Sequence, residues 1–265
     1  MEIDMVGDRL RILHLTDLHM RQALAGTANQ TERLSRDIPK FLECLGDRLS
    51  EWTPDVIVMT GDLLDVPDEV VDESLSESAP GAYAEAVAEA TLDYRWIHDW
   101  LEGTALEWVV IPGNHDHRAA FVNVFSTTSP DTVRGGWRFI GFDDALDERR
   151  TPVRLDGEQL RFNAALGGEN DRTPQIHLQH YILRPRLFRR TAYSYQGDAE
   201  LAARVDLNPR VRAVLSGHYH PGAYARSANG VTYSTGPAFC EKPYPFRIMD
   251  LDAGRVKSVF DQSID

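Results

Sequence analysis

The sequence predicts an α/β or α+β layered sandwich, and three observations carry that expectation. Short apolar runs rich in β-branched residues alternate with segments of helical period in the first half of the chain. Strand-like runs dominate the second half, and five of the apolar runs stop abruptly at polar loops. No internal repeat, low-complexity linker or composition break interrupts the chain, so residues 1–265 are expected to form one domain.

Arg11-Ile-Leu-His-Leu15 is the first expected strand, and Thr16-Asp-Leu-His19 the loop at its end. Leu34, Ile38, Phe41, Leu42, Leu45 and Leu49 recur at helical spacing and predict a helix over roughly 31–50. A second strand runs from Asp55 to Met59 and stops at Thr60-Gly-Asp62. The stretch 65–82 holds Asp65, Asp68, Glu69, Asp72, Glu73 and Glu77 without a basic residue, and reads as a solvated excursion before a helix over about 83–101. Trp108-Val-Val-Ile111 is a third strand, broken by Pro112-Gly113 and followed by a short helix from Ala119 to Phe125. Thr132-Val133 and Trp137 to Phe142 flank Gly135-Gly136, a hairpin signal. A helix is expected from Leu155 to Leu166, a strand over Gln175 to Gln179 and a helix over Asp198 to Val205. A buried strand follows at Val211 to Leu215, and short strands at Val231 to Ser234, Phe246 to Leu251 and Val256 to Phe260.

Bulk properties narrow the function. A formal net charge of −13 disfavours a general nucleic-acid binder, which presents a basic face. Bound cations invert a local field, however, so a nucleotide substrate is not excluded. Two cysteines, Cys44 and Cys240, form no close pair and give neither a disulfide framework nor a zinc knuckle. No signal-peptide-like or membrane-spanning apolar run is present, and a cytoplasmic protein without membrane contact is expected.

The chemistry sits at the five polar strand ends. They carry Asp17 with His19, Asp62, Asn114 with His115, His180, and His218 with His220. Carboxylate, amide and imidazole suit manganese, iron or zinc, and the carboxyl ends of strands are where open α/β sheets place ligands. Asp17 and His19, like His218 and His220, stand two apart, so an extended loop turns both to one side. Taken singly, each motif has an ordinary reading: Gly61-Asp62 as a turn, Asn114 as a helix cap, His180 as a packed strand-end residue. Their occurrence together, each set ending its own apolar strand, points to a two-metal site with a shared carboxylate. His14, His98 and His177 lie inside elements and read as structural, while His117 is a candidate substrate-side contact. Arg184, Arg186, Arg189 and Arg190 form the one basic cluster, either a solvated face or a phosphate- or partner-facing one.

Asp17-x-His19, Gly61-Asp62, Gly113-Asn-His-Asp116, His180 and Gly217-His-x-His220 resemble the five blocks of the calcineurin-like metallophosphoesterases, over residues 12–220. The phrase Pro112-Gly-Asn-His-Asp-His-Arg118-Ala is similar to the branch containing bacterial cyclic-nucleotide and glycerophosphodiester phosphodiesterases. The resemblance implies a four-layer αββα sandwich of two mixed sheets flanked by helices. It also implies two metal ions, manganese or iron before zinc. Asp17, His19, Asp62 and His220 would hold the first, and Asp62, Asn114, His180 and His218 the second. His115, oriented by Asp116, would contact the phosphoryl oxygen or assist the leaving group. A metal-bound hydroxide would attack a small-molecule phosphate ester, a diester before a monoester. One departure stands out: that branch carries His-His-x-Pro where this chain has Gln179-His-Tyr-Ile182. A repair-type nuclease and a non-catalytic scaffold are the competing expectations, and a homodimer is left open.

Overall fold

The computed structural model describes residues 9–28, 30–168, 171–187 and 194–264. β1 (Leu10–Leu15) is followed by α1 (Ile38–Asp47) and α2 (Leu49–Trp52). β2 (Val56–Thr60) leads to α3 (Asp68–Val71), α4 (Ser74–Ser78) and the long α5 (Pro80–Gly103), and β3 (Glu107–Ile111) leads to α6 (Arg118–Phe125). β4 (Asp131–Arg134) and β5 (Trp137–Gly141) form the expected hairpin, turning at Gly135 and Gly136 with φ of 51° and 72°. Both turn residues therefore occupy the left-handed region that a tight two-residue hairpin loop requires. A small ladder of β6 (Ala145–Leu146) and β7 (Pro152–Val153) precedes α7 (Asp156–Gly167), β8 (Gln175–Leu178), α8 (Asp198–Leu207) and β9 (Val211–Ser216). β10 (Ala223–Arg226), β11 (Thr232–Thr235), β12 (Pro245–Asp252) and β13 (Arg255–Ser263) complete the described chain.

Two large mixed sheets result. The first has the order β13-β12-β1-β2-β3, with β1, β2 and β3 parallel. The second has the order β10-β11-β9-β8-β5-β4, with β11, β9, β8 and β5 parallel between antiparallel edges. Strand side chains alternate between faces. Ile12, Val56, Val58, Val109 and Ile111 meet Phe139, Ile176, Leu178, Ala213 and Leu215 between the sheets. On the outer face of the first sheet Leu13, Leu15, Ile57 and Met59 pack against Leu42, Tyr94, Ile97 and Phe121 of the helices. Phe162, Leu201 and Val205 of α7 and α8 cover the second. The order of layers is helix, sheet, sheet, helix, as expected. Each fully buried aliphatic or aromatic side chain contributes about 1.5–3 kcal/mol relative to exposure.

Two expectations need correction. The helix predicted over 31–50 begins only at Ile38, because Pro39 fits a first helical turn but not a helix interior. Residues 31–37 instead form turns that fold back over the first sheet's strand ends. The acidic stretch 65–82 is largely solvent-exposed, as expected, but it is helical rather than a loop before a helix: it builds α3, α4 and the start of α5. Asp68 and Glu69 lie in the first turn of α3, where carboxylates complement the helix dipole, and Val70 is buried in the core. Asp65 is itself almost wholly buried, 3% exposed.

Candidate metal centre

The loops after β1 and β2 stay paired beyond the strands. Asp17 N donates to Gly61 O (3.0 Å), His19 N to Asp62 O (2.9 Å) and Met20 N to Leu63 O (2.9 Å). On the second sheet Gly217 N donates to His180 O (2.9 Å), and His218 N crosses between the sheets to Asp17 Oδ2 (3.0 Å). Four of the seven predicted donors, Asp17, His19, Asp62 and His218, have positive φ of 52°, 45°, 50° and 64°. Such conformations cost of order 1–3 kcal/mol each, and here they turn side chains out of the strand direction and toward one another. Gly61, at φ 98°, is forced: a Cβ there would lie 2.5 Å from His180 Nδ1.

The seven predicted donors converge as two adjoining groups. Ligand atoms of Asp17, His19 and His220 lie within 4.8 Å of one another, and so do those of Asp62, His180 and His218. Asp62 Oδ2 stands 3.6 Å from His19 Nε2 and 3.2 Å from His180 Nε2, between the two groups. Asn114 Oδ1 lies 3.2 Å from His180 Nε2, facing the second group. Asn114 is not the cap of α6; His117 is, with Nδ1 accepting from Ala120 N at 3.2 Å. The rim residues Asn114, His115, His218 and His220 are only half-buried, which leaves the centre open on one side.

The donor set fits divalent cations. His19 is fully buried; its Nδ1 faces Asp65 Oδ1 at 3.4 Å, while its Nε2 lacks a hydrogen-bond partner. That arrangement costs about 1–3 kcal/mol unless a ligand takes the lone pair. The partners that orient the other imidazoles are in place. His180 Nδ1 donates to Thr60 O at 2.7 Å, leaving Nε2 to face Asp62 and Asn114. His220 Nδ1 faces Glu241 Oε1 at 2.6 Å, leaving Nε2 toward Asp17. Ligand histidines generally carry such outer partners.

Electrostatics agree. Burial pulls His180 down, but the Asp62 and Asp17 carboxylates lift it to about 9. These carboxylates draw a proton onto the ring, and a divalent cation competes for the same electron pair. Burial would raise Asp62, yet the neighbouring His180, by its charge and its hydrogen bond, holds it well below the usual carboxylate range. Burial lowers His19 to about 4, so the ring is neutral, the form that binds metal.

His115 and Asp116 divide differently from expectation. His115 N donates to Asp62 Oδ1 at 2.7 Å, and its ring stands at the rim, 5.0 Å from the His19 ring. Asp116 does not hold that ring. Its carboxylate accepts from Gly113 N (2.7 Å), Leu63 N (3.1 Å), Leu64 N (3.1 Å) and Tyr94 Oη (2.9 Å), welding the loops after β2 and β3 together. The carboxylate beside His115 is Asp65, with Oδ1 at 3.8 Å from Nδ1 and 3.4 Å from His19 Nδ1. Asp65 also binds Arg21 and Arg33. None of Asp65, Arg33 and Glu241 was predicted. An aspartate three residues beyond the strand-end Asp62 was the one local signal available.

The remaining predicted contacts lie elsewhere. His117 is buried as the α6 cap, with Nε2 held by Tyr83 Oη at 3.1 Å, and makes no substrate-side face. Arg184 pairs with Asp206 (3.1 Å) and Arg186 with Asp198 (2.6 Å), so neither faces the centre; Arg189 and Arg190 lie outside the described residues. His14 bonds Thr60 Oγ1, His177 bonds Gln175 Oε1, and His98 packs against Trp108 and Phe125.

Two helix-flanked mixed sheets with adjoining histidine–carboxylate clusters at their strand ends define a metal-dependent hydrolase. Solved structures share this fold. A dimetal phosphatase from Danio rerio matches with a TM-score of 0.68 at 9% identity, over 97% of this chain and 99% of that one. The TT1561 protein of Thermus thermophilus matches at 0.58 and 12% identity, over 97% and 99%. The calcineurin-like phosphoesterase profile matches residues 10–222, and the chain belongs to that family. It is a metal-dependent phosphoester hydrolase. A probable cyclic nucleotide phosphodiesterase of Synechococcus is 24% identical over 265 residues, covering 94% of this chain and 91% of that protein. A 3',5'-cyclic-nucleotide phosphodiesterase of Nostoc is 26% identical over 250 residues, covering 87% and 79%.

Proposed function

We propose that the centre holds two divalent cations and hydrolyses a small phosphodiester, of the cyclic-nucleotide or glycerophosphodiester type. The observation that carries this reading is the place of Asp62, with Oδ2 at 3.6 and 3.2 Å from a histidine of each group. The names of the Synechococcus and Nostoc relatives support the cyclic-nucleotide type. Asp17, His19, Asp62 and His220 would hold one ion, and Asp62, Asn114, His180 and His218 the other. Bound there, the ions supply Lewis acidity toward phosphoryl oxygens and lower the pKa of water.

The chain's own groups do the rest. The half-buried rim admits the ester, while the buried Tyr181 ring packs 4.9 Å from the His218 ring. His115 turns Nδ1 toward Asp65 and Asp68, at 3.8 and 4.0 Å. Its Nε2 serves the phosphoryl group or the leaving oxygen, a role matching general acid–base catalysis. No predicted donor position is empty, which weighs against a scaffold, and the acidic balance weighs against a nuclease.

The test is metal-stripped protein re-loaded with manganese and assayed on bis-p-nitrophenyl phosphate and p-nitrophenyl phosphate side by side, then on 3',5'-cyclic AMP and glycerophosphodiesters. Preference for the diester, with turnover of at least one natural diester, supports the reading. Preference for the monoester replaces it with a phosphatase, and cleavage of single-stranded DNA with a nuclease.

A further inference from the structure

Arg33 reaches the centre from the turn segment that replaces the first part of the predicted helix. That segment is pinned to the sheet ends by Leu34 N donating to Cys240 O (2.9 Å) and Arg21 N to Ser35 O (3.1 Å). The Arg33 side chain is 10% exposed; Nη1 donates to Asp65 Oδ1 at 2.8 Å and stands 3.5 Å from His115 Nε2. Its Nε is buried and lacks a hydrogen-bond partner. Asp65 is already neutralised without it, since Arg21 Nε and Nη2 both donate to Asp65 Oδ2, at 3.0 and 2.8 Å. A second guanidinium on one carboxylate, with an unmet donor and next to the rim histidine, is more than that ion pair requires. Arg118, beside the loop after β3, is committed: it donates to the carbonyls of Gly113 and Asp116 and to the Asp143 carboxylate.

We propose that Arg33 is a substrate-binding residue that donates to a non-bridging oxygen of the phosphoryl group, beside His115. This rests on the reading of the centre as a phosphoester site. Guanidinium groups suit phosphoryl oxygens because their fixed fork of donors makes charge-assisted hydrogen bonds. Negative charge on these oxygens is greater in the transition state and in the released phosphomonoester, which inorganic phosphate mimics, than in a monoanionic diester. Arg33 therefore acts on turnover and on product binding as well as on KM. A guanidinium that merely buttressed Asp65 would act instead through His19 and metal retention.

The experiment uses the full chain, wild type, Arg33→Gln and Arg33→Lys, at saturating manganese. Bound metal is counted by mass spectrometry, inorganic phosphate binding is measured by calorimetry, and kcat and KM are measured on bis-p-nitrophenyl phosphate. The expected result is wild-type metal content in all three proteins and phosphate binding weakened about tenfold or more in Arg33→Gln. Arg33→Lys should recover part of the loss, and kcat/KM should follow the same order. Phosphate affinity within twofold of wild type in Arg33→Gln overturns the proposal, as does a loss that tracks lost metal. If the wild type cleaves neither test ester, the diester reading fails by itself, and the phosphate titration still decides the role of Arg33.

Discussion

Glu241 Oε1 lies 2.6 Å from His220 Nδ1, so a carboxylate far from the strand-end motifs fixes which ring nitrogen of His220 faces Asp17. Such partners raise the basicity of a ligand histidine and hold its ring plane. Glu241→Gln is expected to weaken manganese binding about tenfold to a hundredfold at the group containing His220. A calorimetric manganese titration checks this, and an unchanged isotherm would show that His220 needs no carboxylate partner.

Asp62 and His115 should separate metal binding from turnover. Asp62→Ala removes the carboxylate between the two groups and is expected to lose paired metal and essentially all activity. His115→Ala is expected to keep metal while kcat falls about 10²- to 10⁴-fold, the usual contribution of a positioned acid or base. Metal content and kcat measured on the same samples decide it. Full turnover by metal-loaded Asp62→Ala would remove that residue from its bridging role.

Gly113 is required by proximity. A Cβ there would collide with the backbone nitrogen and Oδ1 of Asp62 and stand 2.7 Å from His180 Cε1. Gly113→Ala is therefore expected to displace both side chains, costing about 1–3 kcal/mol as overpacking does, and to empty the group containing His180. Thermal melts and metal counts read this; a wild-type value of both would mean the loops move apart freely.

His177 makes stability fall on the acid side. Burial, aided by the charges of Arg154, Arg138 and Arg210, lowers its pKa from 6.5 to about 3. The folded protein keeps the ring neutral while the unfolded chain takes up a proton below its ordinary pKa. The stabilising term is thus complete above 6.5 and is lost as pH falls toward 3. At about pH 5 the loss is about 2 kcal/mol, and His14, lowered in the same way, adds to it. His177→Gln should flatten the decline of melting temperature between pH 7 and 5, and an equally steep decline would contradict the assignment.

The strand ends were legible because each set of candidate donors follows its own apolar run, and a run that stops at a polar loop is a local signal. The fold's layers were legible for the same reason. Arg33, Asp65 and Glu241 were not, because the contacts that define them are long-range: Arg33 meets His115 across 82 residues and Glu241 meets His220 across 21. Pro39 should have shortened the first helix, but the leucine period masked it. His117 was misplaced because an imidazole is an unusual cap, and its ring nitrogen does what Ser or Asp commonly does. The acidic stretch misled because its few apolar residues, such as Val70, suffice to dock short helices.

Both histidine–carboxylate groups are finished by one loop. Asp17 and His19 lack His220, and Asp62 and His180 lack His218, until the chain beyond β9 has been made. During synthesis the first 216 residues therefore carry two incomplete sets of donors. One late segment, Ser216 to His220, completes both groups at once. A chain that stops short of that loop has neither complete set of donors, so loss of this one segment removes both groups together.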